Sequence, residues 1–384
     1  MRVRVLLCVL AIFLTGCTTG SETVADEPLV IRGGTALVGP GLESIEDSVI
    51  VVRDGLIDAV GPAAQIPIPE DSKVVDATGM TIVPGFIDAH VHIGFAEPAS
   101  VLTGGVTTVR DLGWPPERIW PLVEASGSSD FDGPTILAAG QMLTVKKGYP
   151  TRAGWAPKGT GLVVDGPADA EAAVVAQIER GATTIKVSLN PLVGPTLDVE
   201  TLSAIVAAAR ERGLHTTGHV YGLAELDKAL AAGMDELAHM LMSPERIPDG
   251  TIAKMVQRGM AVVPTLSVRT GSDKDIAIDN LERFAAAGGR VIYGTDLGNA
   301  GPRPGIDPLE VTAMSQAGLS GRDIIRSATV DSATWLGLGD VGVLAEGATA
   351  DIVGMNGDPL DDVLAMTDIS FVIRRGNLVE TSVP

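Results

Sequence analysis

Short apolar runs and Ala-rich stretches of helical period alternate through most of the chain, and its two ends read differently from its middle. From residue 29 to about 81 the apolar positions fall in β-branched runs: Val30-Ile31-Arg32, Ser48-Val49-Ile50-Val51-Val52 and Leu56-Ile57-Asp58-Ala59-Val60. Such residues suit a pleated, half-buried surface. Asp54-Gly55 joins the last two runs, and an Asp-Gly pair between strands predicts a tight hairpin. The far C-terminus repeats this character, with Ala350-Asp351-Ile352-Val353-Gly354 and Phe371-Val372-Ile373-Arg374 as strands and Arg375-Gly376-Asn377 as a turn. The two ends are therefore expected to build one small β-sandwich together, from 29–80 plus 340–384.

Between them, strand-like runs at 82–91, 107–111, 135–139, 184–188, 215–219, 235–239, 261–265 and 291–295 alternate with helical stretches. The helices are expected at 168–180, 199–212, 223–232, 247–258, 276–287 and 308–317. Eight strands alternating with helices are what a (β/α)8 TIM barrel requires, here over 81–339. Pattern alone also allows a doubly wound open sheet.

The first residues are a separate matter. Arg2 and Arg4 precede an apolar run of about ten residues, too short to span a bilayer of ~30 Å as a helix. Leu14-Thr15-Gly16-Cys17 follows and resembles a bacterial lipobox. The resemblance implies a signal peptide at 1–16, lipidation of Cys17 and an acidic tether at 17–28. The chain is then an extracytoplasmic lipoprotein, bound to a bacterial membrane through its lipid alone. Cys8 leaves with the signal and Cys17 is capped, which excludes cysteine chemistry.

Composition removes other classes. Hydrophobic residues at 45% and charged residues at 20% fit a globular chain. The net charge of −20 repels a phosphate backbone, so nucleic acid is not an expected partner. All five histidines, His90, His92, His215, His219 and His239, fall in or at the end of an expected strand. His90 and His92 share one face of a strand because side chains alternate with period two, so two imidazoles can grip one metal ion. His215 shares a face with His219 but sits at the other end of its strand, and reads as structural. Arg110-Asp111 reads as a structural pair.

Gly85-Phe86-Ile87-Asp88-Ala89-His90-Val91-His92 is very similar to the first-strand motif of the metal-dependent amidohydrolase superfamily. Further segments resemble the superfamily in the right order: Gly104 to Asp111 its second strand, Thr184-Ile185-Lys186-Val187 its fourth, Gly218-His219 its fifth, Glu236-Leu237-Ala238-His239 its sixth and Tyr293-Gly294-Thr295-Asp296 its eighth. The nearest resemblance is to binuclear prolidase-like and imidazolonepropionase-related members. It implies two divalent ions, zinc being expected, with His90, His92 and Asp296 on the first, His219 and His239 on the second, and Lys186 as a bridging carbamate. Asp296 is the implied catalytic residue, taking a proton from a metal-held hydroxide and passing it to the leaving nitrogen.

The segment 141–161 departs from related dipeptidases, which often carry a histidine there. It offers Lys146, Lys147, Tyr149, Arg152 and Trp155 instead. A long loop over a barrel mouth is a candidate lid, so Tyr149, Arg152 and, after strand five, Tyr221 are candidate substrate contacts, the substrate being a small molecule with a carboxylate. The expected function is cleavage of a C–N amide bond in a dipeptide or N-acyl amino acid. A one-metal cyclic amidase or deaminase, which does not need Lys186, and a non-catalytic binding lipoprotein are the alternatives.

Overall fold

The structure, a computed structural model, describes residues 27–379. The signal peptide, the lipobox and Cys17 lie outside the described residues. Among the described residues no helix is long and apolar enough to cross a membrane.

Both chain ends contribute to two facing β-sheets. One has four strands in the order Leu56–Pro62, Ser48–Arg53, Leu29–Arg32, Lys73–Asp76. The other has six, in the order Asn377–Val379, Ile369–Arg374, Ile352–Asn356, Met80–Pro84, Thr35–Val38, Glu43–Glu46. Ile31, Ile50, Ile57, Ile82, Ile352 and Ile373 are buried together in their shared core. The hairpin at Asp54-Gly55 forms with both residues at positive φ, 50° and 79°, as a type I′ turn demands. Arg375-Gly376 repeats it at 47° and 81°. A Cβ on Gly376 would stand 2.8 Å from Gly55 Cα, so the two glycine tips pack against one another and join the chain ends.

The apolar run at 82–91, expected as one barrel strand, is two. Residues Met80–Pro84 pair with Ile352–Asn356 in the sandwich, whereas β1 (Phe86–Val91) pairs in parallel with β2 (Val106–Asp111). Gly85 makes the hand-over: its amide bonds Asp351 O at 2.8 Å while the Phe86 amide bonds Gly105 O at 3.1 Å. A side chain there would lie 2.2 Å from Thr107 Oγ1. The hydrophobic pattern could not reveal the break because both halves are buried.

The barrel continues through β3 (Thr135–Ala138), β4 (Ile185–Leu189), β5 (Thr216–Val220), β6 (Glu236–Leu237), β7 (Ala261–Val262) and β8 (Arg290–Val291), all neighbours parallel. The third strand is divided. Its lower part pairs with β2, and after a kink at Gly140 (φ 71°) the segment Met142–Thr144 pairs with β4. Closure runs through Ala89 N to Tyr293 O (3.0 Å) and His92 N to Leu297 O (2.7 Å), which excludes the open sheet. The chain is a TIM barrel with a β-rich domain. The expected helices are present, for example Val199–Arg210, capped by Asp198 on the Thr201 amide at 2.7 Å. Four short helices, Pro98–Thr103, Pro116–Ser126, Gly321–Ser327 and Val330–Leu336, were not expected. The second contains Pro121 and the others are seven residues or fewer, too short to show a period.

Candidate metal centre

Six buried side chains converge at the C-terminal mouth of the barrel: His90 and His92 from the end of β1, Lys186 from β4, His219 from β5, His239 just after β6 and Asp296 beyond β8. They line one cavity of about 200 Å³, together with Phe95, Met142, Tyr149, Trp155, Met242 and Asn299 among others. Strand alternation explains His90 and His92. Asp296 needs more, because its backbone is left-handed at φ 58°. Asp and Asn tolerate that region better than most residues.

The ligand atoms of His90, His92 and Asp296 all lie within 4.8 Å of one another. Asp296 Oδ1 stands 3.3 Å from His90 Nε2 and 3.3 Å from His92 Nε2, and Oδ2 stands 3.8 Å from His239 Nδ1. His90 Nδ1 is 2.7 Å from Ala238 O. A carbonyl only accepts, so the proton is on Nδ1 and the Nε2 lone pair faces the carboxylate. Beside them, His219 Nδ1 and His239 Nε2 are 3.1 Å apart, His239 Nδ1 is 2.9 Å from Thr265 Oγ1, and His219 Nε2 is 3.3 Å from Asn190 Nδ2.

Burial, then the Lys186 charge, holds the His219 imidazole down at about 3, and burial followed by like charges holds His90 and His239 well below the usual range. These three rings are neutral and ready as ligands. Burial also opposes charge on His92, but the hydrogen bond and charge of Asp296 outweigh it and raise this ring. Lys186 Nζ is buried with no hydrogen-bond partner, and burial lowers its ammonium to about 7. An unpartnered buried amine among imidazoles and one carboxylate is a costly arrangement unless a further group completes it. Nitrogen and carboxylate donors are those that Zn2+ prefers. The residues therefore fit a divalent cation.

Several supports were not legible beforehand. Arg110 does not pair with Asp111. Its Nη2 meets Glu236 Oε1 at 2.6 Å and its Nε donates to Ala89 O at 2.7 Å, while Asp111 accepts the amides of Ile93 (2.8 Å) and Gly113 (2.9 Å). Leaving either charge of that buried pair alone would cost about 3–5 kcal/mol. Trp335 Nε1 donates to Glu236 Oε2 at 2.5 Å, and its ring stacks on His215 at 4.1 Å, so His215 belongs to the closed end of the barrel and not to the metal centre. Asp88 accepts from Thr295 Oγ1 at 2.6 Å and from the His90 amide at 3.0 Å, tying β1 to the chain beyond β8. Arg269 Nη2 donates to the carbonyls of Met240 (3.0 Å) and Leu241, and so grips the turn that follows His239.

The lid segment divides the candidate substrate residues. Tyr149 reaches the cavity, stacked on His219 at 4.8 Å and accepting from Trp155 Nε1 at 2.9 Å. Trp155 covers His92 at 5.1 Å. Arg152 is exposed and Tyr221 half-buried, and neither lines the cavity. Lys146 and Lys147 are exposed as well.

The profile of the amidohydrolase family matches residues 81–381. The ochratoxinase of Aspergillus niger is 26% identical over 411 residues, covering 87% of this chain and 82% of that protein. A 5-methylthioadenosine/S-adenosylhomocysteine deaminase of Pelotomaculum thermopropionicum is 26% identical over 377 residues, covering 85% and 84%. Among solved structures, a Xaa-Pro dipeptidase with bound methionine in its active site superposes with a TM-score of 0.78 at 23% identity, over 92% of this chain and 100% of that one. At that identity the likeness concerns the fold.

Proposed function

The chain belongs to the amidohydrolase family, metal-dependent hydrolases of C–N bonds, and from that premise we propose that it cleaves the amide of a dipeptide or an N-acyl amino acid with two divalent ions, zinc by preference. The observation that carries the two-ion reading is Lys186: a buried, unpartnered amine that lines the same cavity as His90, His92, His219 and His239. In the neutral form its nitrogen adds to carbon dioxide. An N–C bond forms, one C–O π bond opens, a proton leaves to solvent, and the resulting carbamate is an anion suited to stand between two cations.

His90, His92 and Asp296 would hold one ion, His219 and His239 the other, and the Lys186 carbamate both. When bound, the ions supply Lewis-acid activation of water and of the substrate carbonyl. Asp296 takes the proton released from water and returns it to the amide nitrogen as the C–N bond breaks. Tyr149 stays protonated, since burial and then the Asp296 charge push its phenol above the ordinary value. Because its oxygen accepts from Trp155, its own O–H is free to serve the carbonyl oxygen. The lid cations Lys146, Lys147, Arg152 and Lys158 occur where no Asp or Glu lies between Asp132 and Asp165, and draw in a substrate carboxylate at long range.

Elemental analysis combined with a screen of dipeptides, N-acyl amino acids, lactones and cyclic amides tests this. About two ions per chain, turnover of amides bearing a free carboxylate, and loss of turnover with a chelator are expected. A single ion with turnover of cyclic amides or ring amines alone would replace the reading with the one-metal alternative. Bound ions without any turnover would leave a binding protein.

The Leu14–Cys17 segment carries the accompanying proposal that the chain is lipid-anchored outside the cytoplasm. Fatty-acid labelling of cells is expected to mark the wild type and not Cys17→Ala; equal label in both would end that proposal.

A further inference from the structure

Aromatic side chains are scarce in this protein, at 3% of the sequence, with 6 Phe, 3 Tyr and 4 Trp. Four of them gather at the mouth of the metal centre. Phe95 and Trp114 meet at 4.7 Å, Phe95 and Trp155 at 6.3 Å, and Tyr149 and Trp155 at 6.1 Å. Phe95 lines the cavity yet stays 47% exposed, a large apolar ring left for another surface to cover.

The cluster is braced on both sides. A Cβ on Gly94 would stand 2.4 Å from the Trp114 ring, so the glycine lets that indole pack behind the Phe95 loop. A Cβ on Gly298, whose φ is 115°, would come within 3.1 Å of Phe95 Cδ2 and 3.0 Å of His92 Cβ. Arg118 lies over the outer face of Trp114 at 5.8 Å. Among the described residues that line the cavity, Asp296 is the only carboxylate and Lys186 the only ammonium, both at its metal-binding end.

We infer that Phe95 and Trp155, backed by Trp114, form a subsite for a single neutral aromatic ring of the amide substrate. This rests on the amide-hydrolase reading and adds the substrate's shape to it. A flat ring can reach Phe95 and Trp155 at the offset or edge-on spacings of 4.5–7 Å that aromatic pairs prefer. A cavity of about 150 Å³ accommodates benzene, the scale of the cavity of about 200 Å³ whose rim includes Phe95. A saturated ring of the same carbon count is thicker and lacks the edge-to-face attraction.

The experiment uses the metal-loaded full chain and two matched substrate pairs. N-acetylphenylalanine is compared with N-acetylcyclohexylalanine, and benzoylglycine with cyclohexanecarbonylglycine. At least one pair is expected to show an aryl preference in kcat/KM of about tenfold or more. In parallel, calorimetric Kd values for phenylacetate and cyclohexylacetate are measured on the same protein, a readout that needs no turnover. Trp155→Leu and Phe95→Leu, each checked for an unchanged melting curve, are expected to bring both ratios toward one. Amide turnover without aryl preference in either pair overturns the subsite and leaves the hydrolase reading standing. Discrimination between the two acetates without amide turnover does the reverse. Ratios unchanged in both leucine variants also overturn the subsite.

Discussion

Lys186→Ala is expected to remove nearly all activity and about one of two bound ions. The side chain is 1% exposed and lines a cavity that four imidazoles and a carboxylate also line. Burial is the leading reason its ammonium falls to about 7; the charges of Asp296 and Glu236 pull the other way, and Arg110 adds to the fall. A lysine with the ordinary value near 10.4 is almost wholly protonated at pH 8, whereas one near 7 is roughly nine-tenths neutral there. Only the neutral amine has the lone pair that captures carbon dioxide. Loss of partners that merely orient a ligand costs about 10–100-fold, and loss of a bridging ligand exceeds that. The rate should therefore drop by more than about 100-fold, with metal content falling from about two ions per chain to about one. A short carboxylic acid at high concentration should restore part of the rate by standing where the carbamate stood. Reconstitution of metal-free wild type with bicarbonate should also improve as pH rises through about 7, because protonated Lys186 cannot react. Elemental analysis with kinetics decides: a variant that keeps its full metal content and turns over normally ends the carbamate mechanism.

Of the candidate ligands, strand period puts only His90 and His92 on one face; the resemblance to the amidohydrolase superfamily singles out Lys186, His219, His239 and Asp296, and all six line one cavity. Their supports leave no such signal. Arg110 and Glu236 are separated by 126 residues, and nothing local to Arg110 distinguishes Glu236 from the adjacent Asp111 as its partner. The adjacent pair reads as the natural one until the barrel closes. Gly85 follows Pro84 inside an apolar run, a pair that punctuates chains, but the exchange of partner strands is what marks it as a boundary between domains. Arg269 acts through main-chain carbonyls of another loop, which leave no trace in composition. In the lid the cations drew attention because they contrast with an acidic chain. The structure puts Arg152 outside and turns Tyr149 and Trp155 inward, because aromatic rings gain by covering imidazoles whereas cations gain by staying in water.

Asp296→Asn should separate metal binding from proton transfer. Asp296 presents Oδ1 to His90 and His92 at 3.3 Å each. An asparagine keeps one oxygen for an ion and also keeps the backbone, since both residue types tolerate the left-handed φ of 58° found here. The variant lacks the carboxylate that can accept a proton and return it to the leaving nitrogen. Removal of a positioned acid–base group costs about 10²–10⁴-fold, so kcat should fall by at least about 100-fold. KM and metal content should change far less. Asp296→Ala provides the contrast: without any ligand oxygen, both rate and first-site metal should be lost. The two halves of the role are thus read by different instruments, elemental analysis for the ligand and kinetics for the proton carrier. Near-wild-type turnover in Asp296→Asn, with its metal in place, would show that the proton travels by another group. Equal loss of metal in both variants would show that Asp296 serves as a ligand alone.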